Sequence, residues 1–271
     1  MARSMCEQAV KPRRLKFIIA YDGTAYSGWQ VQKGHTTVQG VSEATLAGIW
    51  EHPVTLHASG RTDQGVHARA QVAHADAVTR MDIGAIQRAC NARLPRDIRV
   101  MRVQLATRDF HARFSAKAKE YRYFIWNDTL VPPDKRLYHA HALRPLDLAA
   151  MQAAAAHFVG QHDFAAFTAN PQREVESTVR EIFSCTLSRA GKRLTLRVKG
   201  NGFLYKQVRS IAGFLLRVGE GAEPVDAVAQ LLANPEKRTA RVPSAPPQGL
   251  FLWRVWYHTT GQKYFQKNEP F

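Results

Sequence analysis

The chain has 271 residues, of which 45% are hydrophobic and 22% are charged. This composition is ordinary for a globular protein with a sizeable core, and it excludes intrinsic disorder. The charge balance is unusual, because 38 Lys and Arg residues face 22 Asp and Glu residues, which gives +16 with neutral histidines. Such an excess favours a polyanionic partner such as nucleic acid, although a protein from a basic proteome would show the same balance.

Cysteine usage and hydropathy bear on the compartment. Cys6, Cys90 and Cys185 are far apart and fit no metal-binding or CxxC spacing. No apolar run approaches the ~18 residues of a transmembrane helix, and no apolar stretch precedes Leu15 as a secretory signal would require. We therefore expect a soluble protein of the reducing cytoplasm that does not associate with a membrane.

Strand-like and helix-like patterns are interspersed along the chain. Apolar residues that alternate with polar ones predict strands, and apolar residues three or four apart predict helices. In chain order, the predicted strands are 15–21, 54–57, 71–75, 98–103, 119–126, 193–199 and 250–257. The predicted helices are 37–50, 82–94, 147–158, 203–218 and 224–232. Since neither strict βαβ repeats nor all-β spacing is present, we expect an α+β fold.

The order of the predicted elements suggests an internal duplication. The series strand, helix, strands, helix, strand that precedes residue 112 recurs loosely after it. We expect two related α+β halves, 14–112 and 113–258, with antiparallel or mixed sheets around a central cleft. Residues 1–13 and 259–271 are polar and are expected to form flexible tails.

The strongest local signal is the loop around Asp63. Gly60 and Gly65 bracket Arg61 and Asp63, which lets the backbone expose a carboxylate beside a guanidinium. An adjacent arginine lowers the pKa of an aspartate by roughly 1–3 units, so the carboxylate stays ionised, as suits a nucleophile. The alternative is a simple turn in which Asp63 caps its own loop and Arg61 is solvated.

Two further segments suggest contact with nucleic acid. Tyr121 and Tyr123 lie two residues apart on a basic predicted strand, a pattern that suits stacking on bases. The alternative is that both face the core, and we expect this to hold for one of them. Residues 187–217 hold eight Lys or Arg residues and no Asp or Glu. Such a strand and helix can bind phosphates, whereas a merely solvated face usually has acidic residues interleaved.

Other motifs give no support to competing chemistries. His139 with His141, and His74 with Asp76, have no third ligand at a suitable spacing for a metal. The chain has no P-loop, GxGxxG or GxSxG motif, so nucleotide hydrolysis and Ser-His chemistry are not indicated.

In ten segments the chain resembles the TruA family of tRNA pseudouridine synthases. The matching segments, in order, are Tyr21–Gln30, Thr37–Gln39, Gly60–Ala68, Gln71–Val72, Asn91–Ile98, Phe110–Ala116, Lys119–Tyr123, Gly160–Phe164, Gly202–Arg209 and Gly249–Phe251. They run in order over nearly the whole chain, which makes them far more specific than any isolated motif. The family often has Met where Gln207 stands and Phe where Ala75 stands.

The resemblance implies a reaction and a set of site residues. The family converts uridines at positions 38, 39 and 40 of the tRNA anticodon stem-loop to pseudouridine without a metal or organic cofactor, and its members form homodimers around a positively charged cleft. By position, Asp63 corresponds to the catalytic aspartate, Tyr121 to the tyrosine that stacks on the uracil, and Arg209 to the arginine that pairs with the carboxylate. Arg61 corresponds to a residue that helps displace the base.

Three classes of function account for these features to different degrees. An isomerase would use Asp63 at the ribose, either as a nucleophile on C1′ or as the base for the C2′ hydrogen. A non-catalytic RNA-binding protein would explain the charge and the aromatic residues but has no use for the Asp63 loop. A phosphoester hydrolase would need a metal cluster that the sequence does not show.

Overall fold

A computed structural model describes residues 11–169, 176–234 and 239–257. The ten strands in this part of the chain are β1 (Arg13–Tyr21), β2 (His57–Ala58), β3 (His67–Ala77), β4 (Ile98–Ala106), β5 (Ala118–Asn127), β6 (Ala140–Ala142), β7 (Gly160–Asp163), β8 (Val179–Ala190), β9 (Arg193–Gly200) and β10 (Leu250–Trp256). The five α-helices are α1 (Val38–Trp50), α2 (Ile83–Arg93), α3 (Leu148–Ala156), α4 (Gln207–Gly219) and α5 (Ala227–Ala233). Two short 3₁₀ turns lie at Ala165–Phe167 and Pro247–Gly249.

All ten strands join one sheet. Its path runs β4-β1-β3-β10-β5-β9-β8-β7, with β2 added to β3 and β6 added to β5. The β3–β10 and β5–β6 pairs are parallel, and the other strand pairs are antiparallel. The expected α+β class with a mixed sheet is therefore confirmed. The last strand in sequence, β10, lies between β3 and β5 and so joins the early strands to the later ones.

Side-chain alternation explains why the segments form strands. In β1, every second residue from Leu15 to Tyr21 is buried, and the residues between them are partly exposed. The same period of two places Tyr121, Tyr123 and Ile125 of β5 on one buried face. The helices begin where the sequence supplies side-chain caps, since Thr37, Asp82 and Asp147 each accept a hydrogen bond from an amide in the first turn.

Strand register places one row of buried residues across the middle of the sheet. Paired residues point to the same face, and the row in strand order is Tyr21, Ala68, Leu252, Tyr121, Val198 and Cys185. Trp50 of α1 packs on this face against Phe17, with ring centroids 6.4 Å apart. Helix α4 contacts β5. The helices of the early and late parts of the chain therefore flank the centre of the sheet.

The structure corrects several predicted boundaries. Strand β3 begins at His67 and not at residue 71 as predicted, because His67 and Ala68 already pair with β10. The helix expected from Phe203 begins at Gln207, after Lys206 in a left-handed conformation with φ 58°. Strand β8 was not predicted at all, since its exposed and buried residues do not alternate regularly.

The expectations for the ends of the chain and for membranes have mixed outcomes. Arg13, expected within a flexible tail, is the first residue of β1 and pairs with Ala77. Residues 1–10 and 259–271 of the expected tails lie outside the described residues. Cys90 and Cys185 are buried free thiols. Over the described ranges, no helix combines the length and the hydropathy that crossing a bilayer requires.

Candidate active site

The Asp63 loop connects β2 to β3 and is fixed at both ends by backbone hydrogen bonds. The amide of Ser59 donates to the carbonyl of Val72 at 2.7 Å, and the amide of Trp29 donates to the carbonyl of Thr62 at 3.1 Å. The amide of Val66 donates to the carbonyl of Asp63 at 3.1 Å, which closes a tight turn. Gly65 occupies this turn with φ +74°, a conformation that L residues rarely adopt. Asp63 is thus held at the start of the turn.

A second segment approaches the loop so closely that only glycine fits. Gly28 has φ +86°, and a Cβ atom added to it would lie 2.6 Å from the carbonyl oxygen of Thr62. The absence of a side chain lets the backbone after β1 lie directly against residues 62–64. This packing leaves the backbone on either side of Asp63 little room to move.

Buried side chains support the loop from below. The hydroxyl of Tyr21 lies 2.8 Å from Thr62 Oγ1. Ser59 Oγ donates to Gln71 Oε1 at 2.8 Å, and Gln71 Nε2 donates to the carbonyl of Gly60 at 2.8 Å. Because buried polar groups are costly without partners, these bonds favour one loop conformation. The carboxylate of Asp63 is therefore oriented before any substrate binds.

The structure brings Asp63 and Arg209 together. Arg209, in the first turn of α4, donates from Nη1 to Asp63 Oδ2 at 3.0 Å and from Nε to the carbonyl of Ala245 at 2.8 Å. The side chains of Arg209 and Asp63 are 12% and 21% exposed, so the pair is shielded but open to a ligand on one side. The turn in which Asp63 would cap its own loop is not the arrangement found.

Tyr121 lies beside this ion pair. Burial raises the pKa of its hydroxyl, and the nearby Tyr21 and the negative charge of Asp63 raise it further. Its ring packs edge-to-face on Phe203, with centroids 5.2 Å apart. Tyr123 is fully buried and donates from its hydroxyl to the carbonyl of Pro246 at 2.9 Å. Both tyrosines therefore lie on the buried face of β5, with Tyr123 at 0% and Tyr121 at 8% exposure, so the core position expected for one of them holds for both.

Arg61 lies at the exposed side of the loop. Its Nε donates to Gln30 Oε1 at 3.0 Å, so the guanidinium is turned towards the segment after β1. The cation on the Asp63 carboxylate is that of Arg209 and not the neighbouring Arg61. Gln207 is wholly buried, and its Oε1 accepts a hydrogen bond from the amide of Leu204. The polar group of Gln207 therefore caps the turn before α4.

Sequence reasoning missed Lys119, which lies at the root of the loop. Its Nζ donates to the carbonyl of Ser59 at 2.6 Å. Burial, with smaller contributions from Arg113 and Arg180, lowers the pKa of Lys119 to about 8. Lys119 begins the matching segment Lys119–Tyr123 and lies two residues before Tyr121 on the same face of β5, but it was given no role.

His67 was also missed as a structural residue. Its Nδ1 accepts from the amide of Gly23 at 3.0 Å, and its Nε2 contacts the carbonyl of Leu137 at 3.1 Å. The ring is therefore neutral with its proton on Nε2, and burial lowers its pKa. The 3.1 Å contact between Nδ1 and Asp22 Oδ1 is for this reason not an ion pair. His67 fixes the start of β3, where the Asp63 loop ends.

A carboxylate held by an arginine lies beside a buried tyrosine, on a chain with a net charge of +16. The sequence model of a family described as tRNA pseudouridine synthase matches residues 17–115 and 154–258, which is more than half of the chain. The chain therefore belongs to the tRNA pseudouridine synthase family, whose members are isomerases that convert uridine to pseudouridine.

Individual relatives agree with this assignment. The chain is 45% identical over 245 residues to the tRNA pseudouridine synthase A of Geotalea uraniireducens, covering 90% of this chain and 100% of that protein. It is 43% identical over 263 residues to the tRNA pseudouridine synthase A of Chlamydia trachomatis serovar A, covering 95% and 96%.

Among solved structures, the chain matches one titled "Crystal Structure of a Cbf5-Nop10-Gar1 Complex". The TM-score is 0.36 at 14% identity, and the match covers 88% of this chain and 49% of that one. A likeness of this degree is too distant to carry an argument.

Proposed function

We propose that this protein isomerises uridine to pseudouridine in the anticodon stem-loop of tRNA, at positions 38, 39 and 40, with Asp63 as the catalytic carboxylate. The observation that carries the proposal is the 3.0 Å pair between Asp63 Oδ2 and Arg209 Nη1, next to the buried Tyr121. The family membership and the net charge of +16 supply the reaction class and the preference for a polyanion.

The reaction needs no redox step and no second substrate. The N1–C1′ bond breaks, the uracil rotates, C5 bonds to C1′, and a proton leaves C5 while one is gained at N1. Two roles for Asp63 satisfy this balance: nucleophilic attack on C1′, or removal of the C2′ hydrogen. In both roles, the hydrogen bond from Arg209 orients the carboxylate towards the ribose.

The target uridine has to leave its stack before Asp63 can reach the ribose. Extrusion of a base costs a few kcal/mol, and stacking on an aromatic ring returns about 1–3 kcal/mol. Tyr121 is the ring next to Asp63, and Phe203 fixes its orientation at a centroid distance of 5.2 Å. Arg61, at the exposed side of the loop, is suited to occupying the space that the base leaves in the stem.

The assembly and the location belong to the same proposal. We assign residues 14–112 and 113–258 to the two halves that form the walls of the cleft, with β3 and β10 as their junction. A homodimer follows from the family resemblance, and light scattering on the purified protein tests it. A cytoplasmic location follows from the tRNA substrate, and the free thiols of Cys90 and Cys185 agree with it.

An assay with unmodified tRNA transcripts tests the function directly. Carbodiimide treatment followed by primer extension should reveal pseudouridine at positions 38–40 after incubation with the unaltered protein. Asp63→Asn should abolish conversion and keep tRNA affinity within a few fold. The matched control is Asp134→Asn, which removes an exposed carboxylate that pairs with Lys135 away from the site.

The outcomes of this assay separate the candidate functions. Binding of tRNA without any conversion by the unaltered protein would favour a non-catalytic RNA-binding protein. Substantial pseudouridine formation by Asp63→Asn would refute the role of this carboxylate.

A further inference from the structure

Lys119 lies at the root of the Asp63 loop, and the positive charges of Arg113 and Arg180 both act on it. We call Arg113, Lys119 and Arg180 the Lys119 cluster. Lys119 Nζ contacts the Ser59 carbonyl at 2.6 Å, and a Cβ atom added to Gly60 would lie 3.2 Å from the same nitrogen. Lys119 is therefore in contact with the first residues of the loop that carries Asp63.

Strand register places Lys119 next to the stacking tyrosine. Lys119 and Tyr121 are two residues apart on the same face of β5, which separates their Cα atoms by about 7 Å. Lys119 pairs across the sheet with Gly200, which in turn pairs with Ile182 of β8. A group held by Lys119 would thus lie within one nucleotide of a base stacked on Tyr121.

Arg180 lies on the same face of the sheet as Lys119, because Gly200 pairs with both Lys119 and Ile182, and Arg180 is two residues from Ile182 on β8. Its side chain crosses the turn at Gly202, where a Cβ atom would lie 4.0 Å from both Cδ and Nε of Arg180. Its Nη1 donates to the carbonyls of Ser177 and Val179, at 3.0 and 2.6 Å. Arg113 lies in the exposed turn before β5, next to Ala112, whose carbonyl accepts a hydrogen bond from the Tyr257 hydroxyl at 2.8 Å; the same hydroxyl also contacts Ser59. Burial lowers the pKa of Arg180, and the charge of Arg113 lowers it further.

The cluster has no counter-charge within the described residues. None of the ion pairs found there involves Arg113, Lys119 or Arg180. Glu120, the carboxylate next to Lys119 in sequence, pairs with Arg122. Like charges held close together, one of them largely buried, oppose folding unless an anion joins them. The arrangement is that of a site for an anionic ligand.

We propose that Arg113, Lys119 and Arg180 together bind one backbone phosphate adjoining the target uridine and thereby hold the flipped nucleotide against the Asp63 loop. This inference rests on the proposed function, which supplies RNA as the anion. Two guanidinium groups and an ammonium around one phosphate are a common way to bind nucleic acid backbone. Tyr121 then holds the base while the cluster holds the backbone.

A combined change of protein and RNA tests the site. Stem-loop RNAs carry one uncharged methylphosphonate at each linkage within two nucleotides of the target, with a 2′-O-methyl group on the preceding nucleoside. Each is compared with a phosphodiester RNA that has the same 2′-O-methyl group. Dissociation constants are measured for the unaltered protein, for Lys119→Met and for the control Lys135→Met, whose side chain is 40% exposed and lies outside the basic segment 187–217.

One linkage is expected to respond in a particular way. Its neutralisation should weaken binding by the unaltered protein and by Lys135→Met about tenfold, the size expected of a charged hydrogen bond. The same neutralisation should weaken binding by Lys119→Met less than twofold, because the contact is already lost. If the loss of affinity caused by Lys119→Met and the loss caused by neutralisation add at every linkage, the proposal is wrong.

Two further measurements keep the outcomes distinct. If Lys119→Met does not fold, the same measurements on Arg113→Gln, at an exposed position, and on Arg180→Gln test the site. Each of these variants must lose the effect of neutralisation at the same linkage. Conversion of the unmodified stem-loop by the unaltered protein is measured separately. A lack of conversion contradicts the proposed function, whereas additive losses with normal conversion contradict only the phosphate site.

Discussion

Arg209 Nη1 lies 3.0 Å from Asp63 Oδ2, and this bond joins residues that are 146 positions apart in the sequence. The same guanidinium donates from Nε to the carbonyl of Ala245, so it is held at two points and cannot rotate freely. The carboxylate is consequently fixed from the late part of the chain, while its backbone belongs to the early part. The ion pair thus couples the two sides of the site.

The two contacts of Arg209 lead to the first prediction. Arg209→Met should lower the single-turnover rate of conversion by at least about 100-fold, the scale of lost electrostatic organisation at a catalytic group. Arg209→Lys retains the charge but cannot make both hydrogen bonds. Its single-turnover rate should therefore lie between the rates of the unaltered protein and of Arg209→Met. Arg88→Met, at an exposed position of α2, is the control and should convert tRNA normally. Equal rates for Arg209→Met and the control would contradict the role.

The close approach of Gly28 to the loop leads to the second prediction. Gly28→Ala places a methyl group 2.6 Å from the Thr62 carbonyl oxygen, in a backbone with φ +86°. Gly34→Ala is a matched control, because Gly34 has φ +78° but open space around it. Gly34→Ala should lose about 1–2 kcal/mol of unfolding free energy through the backbone conformation alone and keep its activity. Gly28→Ala should lose more stability and at least about tenfold in rate, because displacing the loop moves Asp63.

Urea denaturation and single-turnover assays on both glycine variants measure these effects. If Gly28→Ala matched Gly34→Ala in stability and in rate, the loop would be shown to adjust without moving Asp63.

The buried contact between Tyr21 and Thr62 leads to the third prediction. Tyr21→Phe leaves Thr62 Oγ1 without its partner at 2.8 Å, which should cost about 1–3 kcal/mol of unfolding free energy. The double variant Tyr21→Phe, Thr62→Val removes both polar groups and should recover most of that loss. Urea midpoints of the four proteins in this cycle measure the coupling. A double variant less stable than either single variant would exclude the hydrogen bond as the cause.

Local patterns revealed the strands but not the contacts between them. The alternation in β1 and β5 was visible because one face of each strand is buried and the other is not. In β9 apolar and polar residues also alternate, although Thr195 on the polar face is buried as well. Strand β8 has exposed residues at several positions that alternation would bury, so no period of two was apparent. The start of β3 looked like loop because the polar His67 and Arg69 lie there, although His67 is fully buried.

The site residues were predictable where the family resemblance supplied their positions. They were not predictable where the pairing register of distant strands determines which side chains meet. Asp63, Tyr121 and Arg209 were named from matching segments, and the structure brings all three together. Lys119 lies under Ser59 because β5 and β3 share a sheet through β10, which is a long-range relationship that composition and periodicity do not contain. A basic residue on a strand is usually solvated, so nothing local marked Lys119 as buried.

The pKa of Lys119 leads to the fourth prediction. Burial lowers this pKa from 10.5 to about 8, so the folded protein binds fewer protons than the unfolded chain between those values. The penalty for burying the charge is therefore present below about pH 8, and it is relieved as the pH rises towards 10.5. The free energy of unfolding measured in urea should therefore rise between about pH 8 and pH 10.5 in the unaltered protein. Lys119→Met and Lys119→Arg should not show this rise. An unchanged pH profile in Lys119→Met would show that Lys119 does not titrate there.

Binding of RNA should show the opposite trend with pH. Since the phosphate favours the charged ammonium, affinity should fall as the pH rises through about 8 in the unaltered protein. Lys119→Arg stays charged and should not show this fall. Titrations of the stem-loop at pH 7 and pH 9 compare the two proteins, and a parallel fall in both would assign the effect to other groups.

The stoichiometry of the Lys119 cluster leads to the last prediction, which concerns salt. Each neutralised phosphate of single-stranded nucleic acid contributes about 0.7 to the slope of log affinity against log salt, and about 0.9 in a duplex. If Arg113, Lys119 and Arg180 bind one phosphate, replacing all three with neutral residues should lower the slope by about one such unit. Three separate phosphate contacts would lower it by about three units. Salt slopes are measured for the unaltered protein, each single variant and the triple variant, and they give the number of phosphates bound at the root of the Asp63 loop. A fall of about three units in the triple variant would contradict the shared site and indicate three independent phosphate contacts.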